Sequence, residues 1–162
     1  GMEGALAEMM ARHAQAGRVA WIGLRPGRRE AVVAVERAEV GAGGLVGDHA
    51  SGGRRAVTLV QWEHLAVIGA LLGRAEVPPE VLRRNVAVAG INLAALKGEA
   101  LAVGGAVLRV TGPCPPCSRM EEALGPGGYS AVRGHGGWYA EVVTPGAVAL
   151  GDAVRRVGVS AG

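Results

Sequence analysis

Short apolar runs rich in Val, Ile and Leu recur along the whole chain, and each is broken by glycine or proline. The 28 glycines and 8 prolines place corners at close intervals, and the runs between them suit extended backbone, so the pattern favours sheet over a helix bundle. Strands are expected over residues 18–24 and 31–40, paired as a hairpin across Pro26-Gly27. Further strands are expected over 56–60, 86–89, 100–103 and 106–111, the last two turning at Gly104-Gly105. A final pair is expected over 138–143 and 147–157, turning at Pro145-Gly146, with a bulge at Gly151-Asp152. Strand pairing should stop at Gly112-Pro113, because proline donates no amide hydrogen. Helical spacing predicts a helix over 5–16 capped by Gly17, an amphipathic helix over 61–72, a short turn or helix after Pro78-Pro79 and a short helix over 118–124. Asn92 is placed to cap a turn over 93–96. Many short strands with few helices and no regular βα alternation predict a mainly β protein: a closed or nearly closed β-barrel with a few peripheral helices.

Length and charge narrow the possibilities further. A chain of 162 residues is sized for one domain, expected over 1–162, with residues 1–4 read as a tag remnant and disordered start. Hydrophobic residues at 49% against 19% charged exclude disorder as the main description. No apolar stretch approaches the roughly 20 residues of a membrane span, and no signal region is visible, so a cytoplasmic location is expected. The net charge is +3, but aromatic residues are only 3% with no Phe, which weakens a nucleic-acid reading because stacking platforms are scarce. An anionic small ligand suits the charge as well. Only Lys97 among the 17 basic residues is lysine, so the placement of the arginines is more informative than their number.

Three segments carry candidate chemistry. Cys114-Pro115-Pro116-Cys117 reads as a thioredoxin-type redox pair, half of a zinc site, two inert thiols, or a loop presenting one reactive thiolate. The first lacks its βαβ setting and the second lacks a second Cys-x-x-Cys. In the last reading Cys117 is the reactive thiol, with the following helix start and Arg119 stabilising its anion, and a thiolate also suits a soft transition metal. The second segment runs from Gly44 to Arg55 and places Asp48, His49, Arg54 and Arg55 among glycines, a receptor for phosphate or carboxylate that fits neither a Walker A loop nor a dinucleotide fingerprint. In the third, Arg83 and Asn85 offer hydrogen bonds at a strand entry. Tyr129, His135 and Trp138 are placed to form one wall of a pocket or a plain surface loop.

In that order, Gly-Leu-Val-Gly-Asp-His with Gly-Gly-Arg-Arg, Leu-Arg-Arg-Asn-Val, and Gly-Pro-Cys-Pro-Pro-Cys-Ser-Arg-Met resemble the MOSC family, the domain also found at the C-terminus of molybdenum cofactor sulfurases. The resemblance spans most of the chain. It implies a β-barrel-like fold that binds the pterin molybdenum cofactor (molybdopterin) or handles its sulfur. It implies further that Cys117 ligates molybdenum or bears a persulfide, and that Asp48, His49, Arg54, Arg55, Arg83 and Asn85 contact the cofactor; Cys114 receives no role. Relatives include amidoxime-reducing proteins and bacterial proteins that detoxify N-hydroxylated bases. The expected activity is reduction of a small N-hydroxylated substrate, with persulfide transfer through Cys117 or non-catalytic cofactor carriage as alternatives. The resemblance finds no counterpart in these residues to the extra N-terminal domain of the amidoxime-reducing relatives, a ferredoxin-like segment or the pyridoxal-phosphate domain of the sulfurases, and none is expected. An electron-donor protein or a cysteine desulfurase is therefore expected as a separate partner, and pyridoxal phosphate is not expected in this chain.

Overall fold

The computed structural model describes residues 1–158, so the last four residues of the expected domain lie outside it. Its strands are β1 (Gly17–Leu24), β2 (Val33–Val35), β3 (Arg37–Gly41), β4 (Gly44–Leu45), β5 (Val57–Gln61), β6 (Val86–Ala89), β7 (Ala100–Val103), β8 (Ala106–Pro113), β9 (Trp138–Thr144), β10 (Gly146–Ala149) and β11 (Ala153–Arg156). The helices are α1 (Met2–Ala11), α2 (His64–Leu71), α3 (Pro79–Leu82), α4 (Arg119–Leu124) and α5 (Gly128–Val132), with 3-10 turns at Gly53–Arg55 and Leu93–Leu96. Asn92 caps the second of these turns by accepting from the Ala94 amide.

Seven strands close a barrel in the order β1, β11, β7, β8, β9, β5, β6 and back to β1, as the sequence pattern predicts. A ring with an odd number of strands cannot alternate direction throughout, so at least one neighbouring pair must be parallel. That pair is β5 with β6; the other pairings around the ring are antiparallel. Parallel neighbours need a long crossover, and α2 and α3 supply it.

Strand alternation then sorts the apolar side chains. Val57, Leu59, Val86 and Val88 join the barrel interior, while Val60 and Ala87 meet Leu65, Ile68, Leu82, Met120, Leu124 and Val132 from the helices outside. Both faces of the parallel pair are therefore covered: every residue of β5 and β6 is buried, and β6 reads as an unbroken apolar run. β2 lengthens the sheet beside β1, and a small second sheet of β10, β3 and β4 contributes Val40, Leu45 and Val148 to the interior.

Several expected boundaries move. The first helix starts at Met2, within the expected disordered start, and ends at Ala11. The segment after it bends at Ala14 and Gln15 before β1, and the Gln15 side-chain amide donates to the Gly90 carbonyl. The strand expected over 31–40 divides in two: β2 makes the expected hairpin with β1, and β3 crosses to the second sheet. The final pair does not form, because β10 pairs with β3 and β11 with β7 and β1. Pairing of β8 also continues past Gly112 to Pro113, opposite Tyr139 and Trp138.

Gly137 makes the tight entry into β9. Its φ is +97°, and a Cβ there would run into the Leu59 carbonyl. Gly137→Ala is expected to destabilise the fold by about 2–4 kcal/mol, whereas Gly43→Ala, with open space around it, should change little; urea unfolding of both variants checks this.

Candidate functional site

The end of β1, the starts of β5 and β6, and the β8–β9 corner meet at one end of the barrel. Beneath their junction lies a charge pair. The Asp48 side chain is fully buried and that of Arg25 is 13% exposed, with the guanidinium and carboxylate 2.9 Å apart. Asp48 Oδ1 accepts from the Arg25 amide (2.7 Å) and Nε (3.0 Å), and Oδ2 accepts from Nη2 (2.9 Å). Asn85, also fully buried, completes the arrangement. Its Nδ2 donates to Asp48 Oδ1 and the Gly23 carbonyl, while its Oδ1 accepts from the Thr58 amide and hydroxyl. Burial raises the Asp48 pKa, but hydrogen bonds from Arg25 together with its charge and the Asn85 amide outweigh it. The carboxyl therefore titrates below its ordinary value.

Above this pair opens a cleft of about 410 Å³. Arg25, Arg28, Arg83, Arg84 and Arg119 line it together with His49, Cys117 and Tyr139, and no carboxylate lines it. Arg83 is the only non-glycine residue with positive φ (+54°) among the described residues. In that conformation its carbonyl accepts from Arg25 Nη1 at 3.3 Å, and its own guanidinium clamps the carbonyls of Glu30 (2.6 Å) and Gly27 (3.1 Å). Arg84 Nε donates to the Gly136 carbonyl, and Arg119 Nη1 to that of Arg28. These arginines are steered by neutral carbonyls, and Arg28, Arg83, Arg84 and Arg119 form no ion pair among the described residues. Their charges press on one another: burial, followed by the charges of Arg25 and Arg119, lowers the Arg83 pKa, with Asp48 opposing.

The two cysteines differ in exposure. Cys114 is 4% exposed, its amide donates to the Gly137 carbonyl, and burial raises its thiol pKa against the nearby charges of Arg84, Arg25 and Arg55. Cys117 is free and exposed on the cleft wall. The loop between them leads into a six-residue helix, α4, and no group of three or more His, Cys, Asp or Glu residues suited to hold a metal stands together among the described residues.

Of the residues singled out in the sequence, Cys117, His49, Arg83 and Arg119 line the cleft. Asp48 and Asn85 form the buried support below it. Arg54 and Arg55 lie beyond Tyr139, where Arg55 covers the Tyr139 ring at 4.9 Å and the Arg54 carbonyl accepts from the Thr111 hydroxyl at 2.7 Å. Arg25, Arg28, Arg84 and Tyr139 were not singled out. The wall expected from Tyr129, His135 and Trp138 is supplied instead by Tyr139, since one step along a strand reverses the face and Trp138 packs on the barrel interior. Tyr129 is exposed on α5, and His135 packs edge-on against His64.

The chain matches the MOSC domain family over residues 46–155 and belongs to it. This family is associated with molybdenum-cofactor binding. Among solved structures the fold is similar to the YuaD protein from Bacillus subtilis, with 21% identity, TM-score 0.77, and coverage of 86% of this chain and 94% of that one. It is also similar to YiiM from Geobacillus stearothermophilus (19% identity, TM-score 0.72, covering 90% and 77%) and YiiM from Escherichia coli (20%, 0.68, covering 90% and 72%). No curated protein matches the chain.

Asp48→Asn leaves Arg25 buried without its counter-charge and is expected to cost about 3 kcal/mol near neutral pH. Because the folded pKa lies below the unfolded one, this contribution is present above about pH 4 and is lost as pH falls through the folded value. The stability gap between the variant and the wild type should therefore narrow in acid, as measured by urea unfolding across pH.

Proposed function

We propose that the protein binds the pterin molybdenum cofactor in the arginine-lined cleft, with Cys117 as a metal ligand, and reduces small N-hydroxylated compounds. The observation that carries this reading is a free, exposed thiol on the wall of a cleft lined by five arginines and no carboxylate. The donor set fits the group. Thiolate is the side-chain ligand that soft transition metals select, and guanidinium matches a phosphate in a two-point hydrogen-bonded geometry.

Arg83, Arg84 and Arg119 line the same cleft as Cys117 and would hold the anionic end of the cofactor. When bound, the cofactor supplies a two-electron redox centre. The chain's own residues would then orient the substrate and move protons. Arg25, held rigid and neutralised by Asp48, fixes the shape of the cleft floor, and His49 offers an imidazole to protonate the departing hydroxyl oxygen. The overall change is cleavage of the N–O bond with uptake of two electrons and two protons, leaving the amine and water. The electrons come from a separate donor protein.

Protein produced in a host that makes the cofactor should carry near-stoichiometric molybdenum and pterin. Cys117→Ala should lose the metal and hydroxylamine reduction by a chemically reduced dye, while the buried Cys114→Ala should retain both. Elemental analysis and the reduction assay check this. Wild-type protein without metal or pterin, gaining one sulfur on Cys117 after incubation with a cysteine desulfurase, would favour persulfide transfer instead. Bound cofactor without turnover of any N-hydroxy substrate would favour a carrier.

A further inference from the structure

Away from the cleft, α2 and the segment that follows α5 meet through two histidines. The His64 and His135 rings stand edge to face, with centroids 4.8 Å apart and planes at 81°. Neutral aromatic rings favour that arrangement, whereas two imidazolium charges so close repel each other. His135 Nδ1 is buried and has no hydrogen-bond partner among the described residues. A charged imidazole donates from both ring nitrogens, so a charged His135 would leave one buried N–H without an acceptor. His64 lines a polar groove of about 440 Å³, through which protons reach it. Burial, followed by the charge of His135, lowers its pKa, with Glu63 opposing.

The other charges around the pair are few. Glu63, just before α2, is held by the Gln61 side chain and the Gly90 amide and feels the charge of Arg18. Gln15, Gln61 and Asn92, the remaining polar side chains of the groove, do not titrate. Arg84 reaches the segment at the Gly136 carbonyl, and Tyr129 and Arg133, on and just after α5, are exposed.

The same segment is tied to the cleft. The Gly136 carbonyl accepts from Arg84 Nε at 2.7 Å, the Gly137 carbonyl accepts from the Cys114 amide at 2.8 Å, and a Cβ at Gly136 would stand 2.9 Å from the Cys114 carbonyl. Arg84 lines the cleft, and Cys114 opens the loop that presents Cys117. Gly134 and Gly137, both at positive φ, flank His135 and give the segment two points at which to turn. We propose that the histidine pair is an acid-sensitive latch on the cleft: neutral, it holds residues 133–137 against α2; protonated, it releases them and loosens their hold on Arg84 and Cys114. In the released form the imidazoles are hydrated and take protons at their ordinary value of about 6.5, above that of His64 in the closed form. The latch is therefore fully stabilised above about pH 6.5 and weakens as pH falls through that value toward the lower one of the closed form. It needs no bound cofactor and stands whatever the cleft binds.

Amide hydrogen exchange of the full chain, followed by nitrogen-15 NMR from about pH 7.5 to about pH 5, tests the latch across the range in which imidazoles titrate; Asp48 titrates below that range. The protection factor of the Cys114 amide should fall about tenfold, the effect of a displacement of one pKa unit, and the fall should follow the titration of the His64 ring-proton signals. The Val19 amide, which donates to the Asp152 carbonyl in the barrel wall, should keep its protection. His64→Gln and His135→Gln should each flatten the Cys114 response while His13 and His49 still titrate, and either variant that folds is sufficient. Constant protection at Cys114 in the wild type, an equal fall at Val19, or the wild-type response surviving in a folded variant overturns the latch.

Discussion

Asp48 and Arg25 meet below the floor of the cleft, and the arrangement above them depends on that contact. Removing a carboxylate from water costs several kcal/mol unless it is paired and hydrogen-bonded. Here both oxygens are occupied, by the Arg25 backbone, its guanidinium and the Asn85 amide. Asn85 is anchored in turn to Thr58 and Gly23, so the carboxylate is tied to β1, β5 and the start of β6 together. No buried side-chain atom of this cluster lacks a partner. The cluster cancels one arginine charge at the floor and fixes its direction, leaving the other guanidiniums of the cleft without counter-ions.

Barrel closure places this cluster. An odd ring requires its parallel pair, and in β5 and β6 that pair sets two strand starts side by side, which puts Thr58 against Asn85. The crossover helices cover the outer face, and the tight left-handed exit from α3 at Arg83 turns the chain so that Arg83, Arg84 and Asn85 point to three different tasks: a clamp on the 27–30 turn, a clamp on Gly136, and the buried support. Three adjacent residues thus tie together loops that are remote in sequence.

Much of this was legible in the sequence, for reasons that can be stated. The barrel followed from short apolar runs and their glycine corners, and the strand 86–89 was read to the residue because both its faces are apolar. Cys117 stood out because thiols are rare in the chain and prolines set the pair in a rigid loop. Arg25 was not legible: one arginine among many gives no local signal, and only the buried Asp48 identifies its role. Tyr139 was missed by one residue because the register of β9 is fixed by Pro113 and Gly112 across the sheet, where proline was expected to end pairing. The split of residues 31–40 between two sheets was likewise set by distant partners, β1 and β10.

The central claim is that the cleft presents Cys117 as a ligand to a molybdenum centre. Molybdenum-edge X-ray absorption on cofactor-loaded protein tests it most directly, because the method counts sulfur neighbours of the metal whatever the substrate. One sulfur fewer in Cys117→Ser than in the wild type, at equal pterin content, is the predicted result. An identical sulfur count in the two proteins would contradict the account.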